Sequence, residues 1–380
     1  MTKQIHLTLF VILFAVTAEC AAAQQAKLST EQRRQIEDAV SKFMASSSAP
    51  GISAALVENG EEVWSGGFGM ADLEHFVPAT PSTLYRLGSV SKSVTATAAM
   101  ELWERGKIDL DAPVQKYCPA FPEKPWPITT RELLGHLGGI RHYRVSEGAP
   151  VKDDAEINNT QHFDDPISGG LQFFAGDALV AQPGTKFHYS TQGYTLVGCA
   201  IEGASGDKYV DFVRENVFQP AGMAASQVDD HYKIVQHRTR FYQKSKSGAV
   251  ENADFLDSSY KIPGGGWLSS ADDLAEFEIA LLNDRLMKRA TRDMMWTSEK
   301  TSDGKSTGYG FGWGTGTVAG VSTVSHSGGQ QGTSTYIIIA PEQRAGAVVL
   351  INMEDVGAHA LAADLLKIIL GAPQGNPAVK

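Results

Sequence analysis

The 380-residue chain has only three cysteines, and no two of them form a Cys-x-x-Cys pair. A His-Glu-x-x-His run is missing too. Clustered thiolates or imidazoles at such spacings mark zinc, so the sequence supports no metal site, and no cofactor is expected. Positive charge is scarce: 33 Lys and Arg stand against 43 Asp and Glu, a formal net charge of -10. No basic stripe or Arg-rich helix makes up for it locally. That argues against nucleic acid, whose phosphates demand clustered cations. After the first residues no apolar run approaches the about 20 residues needed to cross a bilayer. No Gly-x-Ser-x-Gly elbow occurs either, which disfavours an α/β-hydrolase route to an activated serine.

The first residues read as an export leader over 1–23. Lys3 supplies a weak positive start, Leu7 to Ala18 form a short apolar run, and Ala21-Ala22-Ala23 offer small residues for cleavage before Gln24 or nearby. Glu19 stands where a lipid-modified Cys20 would need a small residue. The expected destination is periplasmic or secreted, with no stable membrane span after cleavage. Removal of the leader takes Cys20 and leaves Cys118 and Cys199. Cys199 lies among apolar residues, Val197 to Ile201, and reads as a buried free thiol. Pairing with Cys118 is the alternative that sequence leaves open.

With 42% hydrophobic and 20% charged residues, the rest can bury a sizeable core. A helix is predicted from Ser29 to Met44, with Ser29 and Gln32 as a capping box. Ile52, Ala54 and Leu56 then alternate as a strand, Asn59-Gly60 turns, and Val63-Trp64 starts the return. Further helices are expected over Ser89–Glu104, from Thr129 (capping box with Glu132), over Tyr194–Ala204 and from Ser270. The stretch from Ser146 to Gly184 is polar and glycine-rich and reads as a long surface insertion. Late strands are expected over Tyr309–Trp313, Ser322–His326, Thr335–Ala340 and Ala345–Asn352, then a helix over Ala358–Leu370. The pattern implies an α/β (α+β) fold: one antiparallel sheet built from both ends of the chain, flanked by terminal helices, with a mainly helical insertion. The sheet part would span about 28–88 and 300–372, and the helical part about 89–299.

Ser-x-x-Lys occurs at Ser89/Lys92, Ser205/Lys208, Ser258/Lys261 and Ser302/Lys305. Only Ser89 follows an apolar strand-like segment, Leu84 to Leu87, and opens a long helix; the others adjoin turn-forming glycines, aspartates or Pro263. Residues i and i+3 share a helix face, so the Lys92 amine can reach the Ser89 hydroxyl. A desolvated lysine can accept the serine proton near neutral pH, and a helix N-terminus suits a developing oxyanion. The plainer reading makes Ser89 an N-cap and Lys92 a solvated first-turn residue.

Other segments weigh against the plainer reading. Pro183-Gly184-Thr185-Lys186-Phe187-His188-Tyr189-Ser190-Thr191 resembles the tyrosine motif of class C β-lactamases and related esterases, and His326-Ser327-Gly328-Gly329 stands where that family has Lys-Thr-Gly. Leu133 to Ile140, Gly264 to Leu274 and Gly308 to Trp313 resemble further landmarks, in order. From about Ile52 to Asn352 the chain thus resembles the penicillin-binding and class C β-lactamase family. Its nearest branch looks like that of the mitochondrial serine β-lactamase-like proteins and their bacterial relatives, through Ser89-Val90-Ser91-Lys92-Ser93, Gly139-Ile140-Arg141-His142-Tyr143 and Tyr189-Ser190-Thr191.

The resemblance implies a penicillin-binding, transpeptidase-like fold and acyl transfer. Ser89 would be the nucleophile, with Lys92 and Tyr189 sharing the proton transfer. The backbone N–H groups of Ser89 and Gly329 would form the oxyanion hole. His326, Ser327 and Gly328 would line the substrate edge, and Thr191 would stand where β-lactamases carry asparagine. His136 and His142 would be structural, His188 a packing or surface residue, and Gly264-Gly265-Gly266 a tight turn with no phosphate role. The expected partner is a small-molecule or peptide substrate with an amide, peptide or ester bond. The alternatives are a true β-lactamase or D-Ala-D-Ala carboxypeptidase and, in another class, a non-catalytic β-lactam sensor or filament-forming scaffold.

Overall fold

The computed structural model describes residues 28–144 and 156–372. The leader over 1–23, with Cys20, lies outside the described residues, as does the 145–155 part of the expected insertion. Capping starts the fold as the sequence implies. Ser29 and Gln32 close a reciprocal box on helix α1 (Thr30–Ser47), whose Ile36 and Val40 are buried. Strands β1 (Gly51–Glu58) and β2 (Glu61–Asp72) form a hairpin over Asn59-Gly60, both in the left-handed region, and β3 (Val77–Pro78) adds an edge.

Three short strands, β4 (Tyr85–Arg86), β5 (Gln227–Val228) and β8 (Trp267–Ser269), form a second sheet in the order β4-β8-β5. Between them in sequence, β6 (Tyr242–Lys244) and β7 (Val250–Asn252) pair as a hairpin. The last strands are β9 (Gly314–Val318), β10 (Val321–Gln330), β11 (Thr333–Ala340) and β12 (Ala345–Ile351). They join the first three in one seven-stranded sheet, β3-β2-β1-β12-β11-β10-β9. Its pairings are antiparallel, so both ends of the chain meet where Ile52 faces Ile351.

The β12 run Ala-Gly-Ala-Val-Val-Leu-Ile is buried at every position because both faces of the sheet are covered. Helices α1 and α5 (Ala358–Ile369) close one face over Val349, Ile351 and Ile338. On the other face Val348, Leu350 and Ile337 join the core of α2 (Ser91–Glu104), α3 (Thr191–Ser205) and α4 (Ala271–Leu282). Helix α2 is buried from Ser91 to Leu102, polar residues included.

Three expectations are corrected. Residues 309–313 are a loop, not a strand. Gly312 has φ +76, and a Cβ there would lie 2.8 Å from the Lys92 carbonyl oxygen, so the glycines let this loop press onto α2. Second, Ser89 occupies a single 3-10 turn, Gly88–Val90, and α2 proper begins at Ser91. Third, Cys199 is not a free thiol. It is bonded to Cys118 with Cα atoms 5.4 Å apart, since α3 buries the Cys199 side chain against the 114–121 loop.

Candidate active site

Ser89, Lys92, Tyr189 and Thr191 come together where the N-terminal end of α2 meets the unpaired edge of β10. Strand β9 pairs with β10 only from Val321 to Ser325, so among the described residues one side of β10 has no strand neighbour from His326 to Gln330. The turn holding Ser89 is jammed against that edge. A Cβ on Gly88 would stand 2.8 Å from the Gly329 nitrogen, and one on Gly328 would stand 2.0 Å from the Leu87 carbonyl oxygen. Thr335 on β11 donates to the same oxygen at 2.8 Å and tethers the turn. At Gly329 an added Cβ would meet open space, and Ser327 is exposed. The backbone of Gly329 therefore borders the cleft beside Ser89.

The Lys92 amine has three partners: Ser89 Oγ at 3.0 Å, Thr191 Oγ1 at 3.1 Å and the Gly264 carbonyl oxygen at 2.8 Å. It is fully buried, and burial, then the charge of Lys261, drives its pKa well below the ordinary lysine value. A neutral amine has two N–H bonds and one lone pair. Donating to Gly264 and Thr191 leaves the lone pair facing the Ser89 hydroxyl, the arrangement a general base requires. Tyr189 also reaches Ser89 through its hydroxyl, and its ring lies 4.9 Å from the Lys92 nitrogen. Burial pushes the Tyr189 phenol up, so it remains protonated and is able to donate a hydrogen bond.

The segment 189–191 is fixed from behind by two neutral imidazoles. His136 Nδ1 accepts from the Ser190 N–H and His142 Nδ1 from the Thr191 N–H, each at 3.1 Å. Burial first, then the charge of Lys92, lowers both pKa values, that of His142 to about 3. Both imidazoles are therefore neutral acceptors for the backbone at 190 and 191. His188 is partly exposed and donates its backbone N–H to the His136 carbonyl oxygen at 2.8 Å.

Two expected contacts turn out otherwise. His326 does not face substrate as a titratable contact: it is 5% exposed, and both its nitrogens are engaged. Tyr309 Oη lies 2.8 Å from Nε2, and Nδ1 lies 2.7 Å from the Ser327 carbonyl oxygen. Burial, then the charge of Lys92, takes its pKa down to about 3. Thr191 is 2% exposed, and its hydroxyl serves Lys92 and the Tyr143 hydroxyl instead of the open cleft.

The sequence reading missed Tyr309, Tyr143 and Lys261. Lys261 is the lysine of the third Ser-x-x-Lys match, but the Ser258 Oγ has no hydrogen-bond partner among the described residues, so that spacing makes no pair. The glycines after it form one helical turn, Ile262–Gly265, which presents the Gly264 carbonyl to Lys92. The signal available for Lys261 was a charged residue set between apolar Tyr260 and Ile262.

The family model described as Beta-lactamase matches residues 36–370. The serine beta-lactamase-like protein LACTB, mitochondrial, of Homo sapiens is 33% identical over 85% of this chain and 76% of its own length. The octameric penicillin-binding protein homologue from Pyrococcus abyssi superposes with a TM-score of 0.76 at 28% identity, covering 89% of this chain and 77% of that one. The D-amino acid amidase from Ochrobactrum anthropi SV3 gives a TM-score of 0.75 at 22% identity, over 90% of this chain and 99% of that one, a likeness of fold. With its antiparallel sheet and flanking helices, the chain belongs to the beta-lactamase family and is a serine hydrolase with the penicillin-binding fold.

Proposed function

We propose that the protein hydrolyses amide, peptide or ester bonds through an acyl-enzyme on Ser89. The observation that carries this reading is the buried Lys92 amine, 3.0 Å from Ser89 Oγ and held by two other acceptors. Lys92 takes the hydroxyl proton as Ser89 Oγ attacks the carbonyl carbon. The Ser89 and Gly329 N–H groups hold the resulting oxyanion. When the bond to the leaving group breaks, the Tyr189 phenol gives that group its proton, and Lys92 returns a proton to Tyr189. Water then adds to the acyl-enzyme with Lys92 again as base, releasing the acid and restoring Ser89.

β-Lactams fit the site less well. Thr191 cannot supply the amide contacts of an asparagine, and His326 offers a carboxylate no charge. Mass spectrometry after fluorophosphonate treatment tests the reading: the adduct is expected on the Ser89 peptide and absent in Ser89→Ala. An adduct on Ser205, Ser258 or Ser302 refutes the assignment. No adduct, with no turnover of esters, amides or a cephalosporin, favours the scaffold alternative.

Export is part of the same proposal, and a disulfide suits an oxidising compartment. N-terminal sequencing of protein from a periplasmic extract is expected to begin at or near Gln24.

A further inference from the structure

Lys261 is the second buried lysine at this site, and the mechanism above gives it no task. The residue is 2% exposed, and among the described residues its ammonium makes no hydrogen bond or ion pair. It lies 5.5 Å from the ring centroids of both Tyr143 and Tyr260. The acids around it are taken. Asp229 accepts from Arg86 Nε at 2.7 Å and lies 3.4 Å from Arg238 Nη1. Glu156 is bound to Arg141 at 2.7 Å and accepts from Gln192 at 3.0 Å. Arg86 and Lys92 add only repulsion. Among the described residues Asp229 attracts this amine, but only from within its own ion pairs, so a buried charge here is costly and an incoming carboxylate would relieve that cost.

A chain of contacts through Tyr143, Thr191 and Lys92 links this position to the nucleophile. Tyr143 is partly exposed, and its hydroxyl meets Thr191, whose Oγ1 accepts from Lys92. Lys92 and His142 both respond to the charge of Lys261. His326, the other candidate for an anionic contact, is neutral with both ring nitrogens engaged.

We propose that Lys261, between the rings of Tyr143 and Tyr260, binds a carboxylate of the substrate, so that this hydrolase prefers acidic peptides, amides or esters whose carboxylate lies close to the scissile carbonyl. The proposal rests on acylation of Ser89. Burial lowers Lys261 to about 7, and pairing with a carboxylate would raise it again. Selectivity for the acidic substrate therefore fades as pH rises above neutrality.

The test compares matched fluorogenic substrates with Asp or Asn at the residue supplying the scissile carbonyl, and with Glu or Gln just beyond it. At pH 6.5 the wild type is expected to favour an acidic member by about tenfold or more in kcat/KM, the scale of one charge-assisted hydrogen bond. That ratio is expected to fall to about one in Lys261→Met and to persist in Lys261→Arg. Fluorophosphonate labelling of Ser89 in each variant reports separately on the nucleophile. Calorimetry with an N-acyl aspartate and its asparagine counterpart needs no turnover. Tighter aspartate binding that disappears in Lys261→Met is expected, with melting temperature as the check on folding. A ratio near one in a wild type that labels at Ser89 overturns the proposal alone, and so does equal binding of the two ligands. Absence of labelling at Ser89 removes the catalytic reading instead.

Discussion

The hydroxyl of Tyr309 lies 2.8 Å from Nε2 of His326, so it donates to a ring whose Nδ1–H is already directed at the Ser327 carbonyl oxygen 2.7 Å away. One tautomer is thereby fixed. Protonating Nε2 would instead bury a positive charge close to Lys92. Since the folded pKa is lowered to about 3 from an ordinary value of about 6.5, His326 stays neutral from pH 8 down to about 4. KM for anionic and neutral substrates is therefore expected to show no difference traceable to His326 over that range. Nitrogen NMR of the imidazole is expected to show the Nδ1–H tautomer without titration. His326→Lys would bury a third lysine amine at the site, close to Lys92, and is expected to lose activity at least tenfold, with no gain for carboxylated substrates.

Lys92 acts as a base only when neutral. Its folded pKa lies well below the ordinary lysine value, so kcat/KM for a neutral ester is expected to rise with pH and level off far below pH 10.5. Removing the neighbouring cation in Lys261→Met relieves part of that depression, so the rising limb is expected to move to higher pH. A limb that stays in place, or moves down, contradicts the coupling between the two lysines. Lys92→Met is expected to lose activity by about 1000-fold or more, since base and proton carrier go together.

Much of this was readable locally. Ser29 with Gln32 and Thr129 with Glu132 are capping boxes that depend on residues three apart, and both form. The late strands followed from apolar runs, except at 309–313, where aromatics alternate with glycine in a strand-like period of two. There the glycines permit close packing on α2 instead, which no local pattern records. Long-range relations were hidden for the same reason. Tyr309 and His326 are 17 residues apart, and Cys118 and Cys199 are separated by 81. An apolar neighbourhood says that a cysteine is buried and nothing of what it meets. Lys261 stood in a motif-like spacing whose serine is not its partner, so the spacing pointed to the right lysine for the wrong reason.

The Cys118–Cys199 bond closes a long loop from the segment ahead of the 130–134 helix to α3, the helix carrying Thr191. Thiol titration in denaturant is expected to find no free thiol in protein lacking residues 1–23. Reduction, or the double change Cys118→Ala and Cys199→Ala, is expected to cost about 2–5 kcal/mol in denaturant unfolding. Two free thiols in unreduced, exported protein would refute the bond.

Thr191 packs so closely on the Ile262–Gly265 turn that a Cβ on Gly264 would lie 2.6 Å from its Cγ2. Thr191→Val keeps the shape and deletes the acceptor for Lys92. One hydrogen bond is worth about 0.5–1.5 kcal/mol, so kcat is expected to fall by about tenfold at most. Thr191→Asn adds bulk where none fits, and cephalosporin turnover is expected to fall with ester turnover. A rise in cephalosporin turnover would show that the position opens to substrate after all.

Gly328 and Gly329 are adjacent, yet they should answer substitution in opposite ways. A Cβ on Gly328 would sit 2.0 Å from the Leu87 carbonyl oxygen and 2.1 Å from Thr335 Oγ1, the two atoms whose hydrogen bond tethers the Ser89 turn. Gly328→Ala must therefore push Leu87 and Ser89 away from β10, and overpacking of this kind costs about 1–3 kcal/mol. Both melting temperature and kcat are expected to fall. At Gly329 nothing lies within 4 Å of an added Cβ, so Gly329→Ala is expected to melt with the wild type. Its methyl group would project into the cleft beside the oxyanion position, and kcat/KM alone is expected to drop. Thr335→Val separates the two effects by loosening the tether without filling space. If it lowers kcat as Gly328→Ala does, the Leu87 contact positions Ser89. If only Gly328→Ala is impaired, the damage comes from crowding, and the tether has no catalytic consequence.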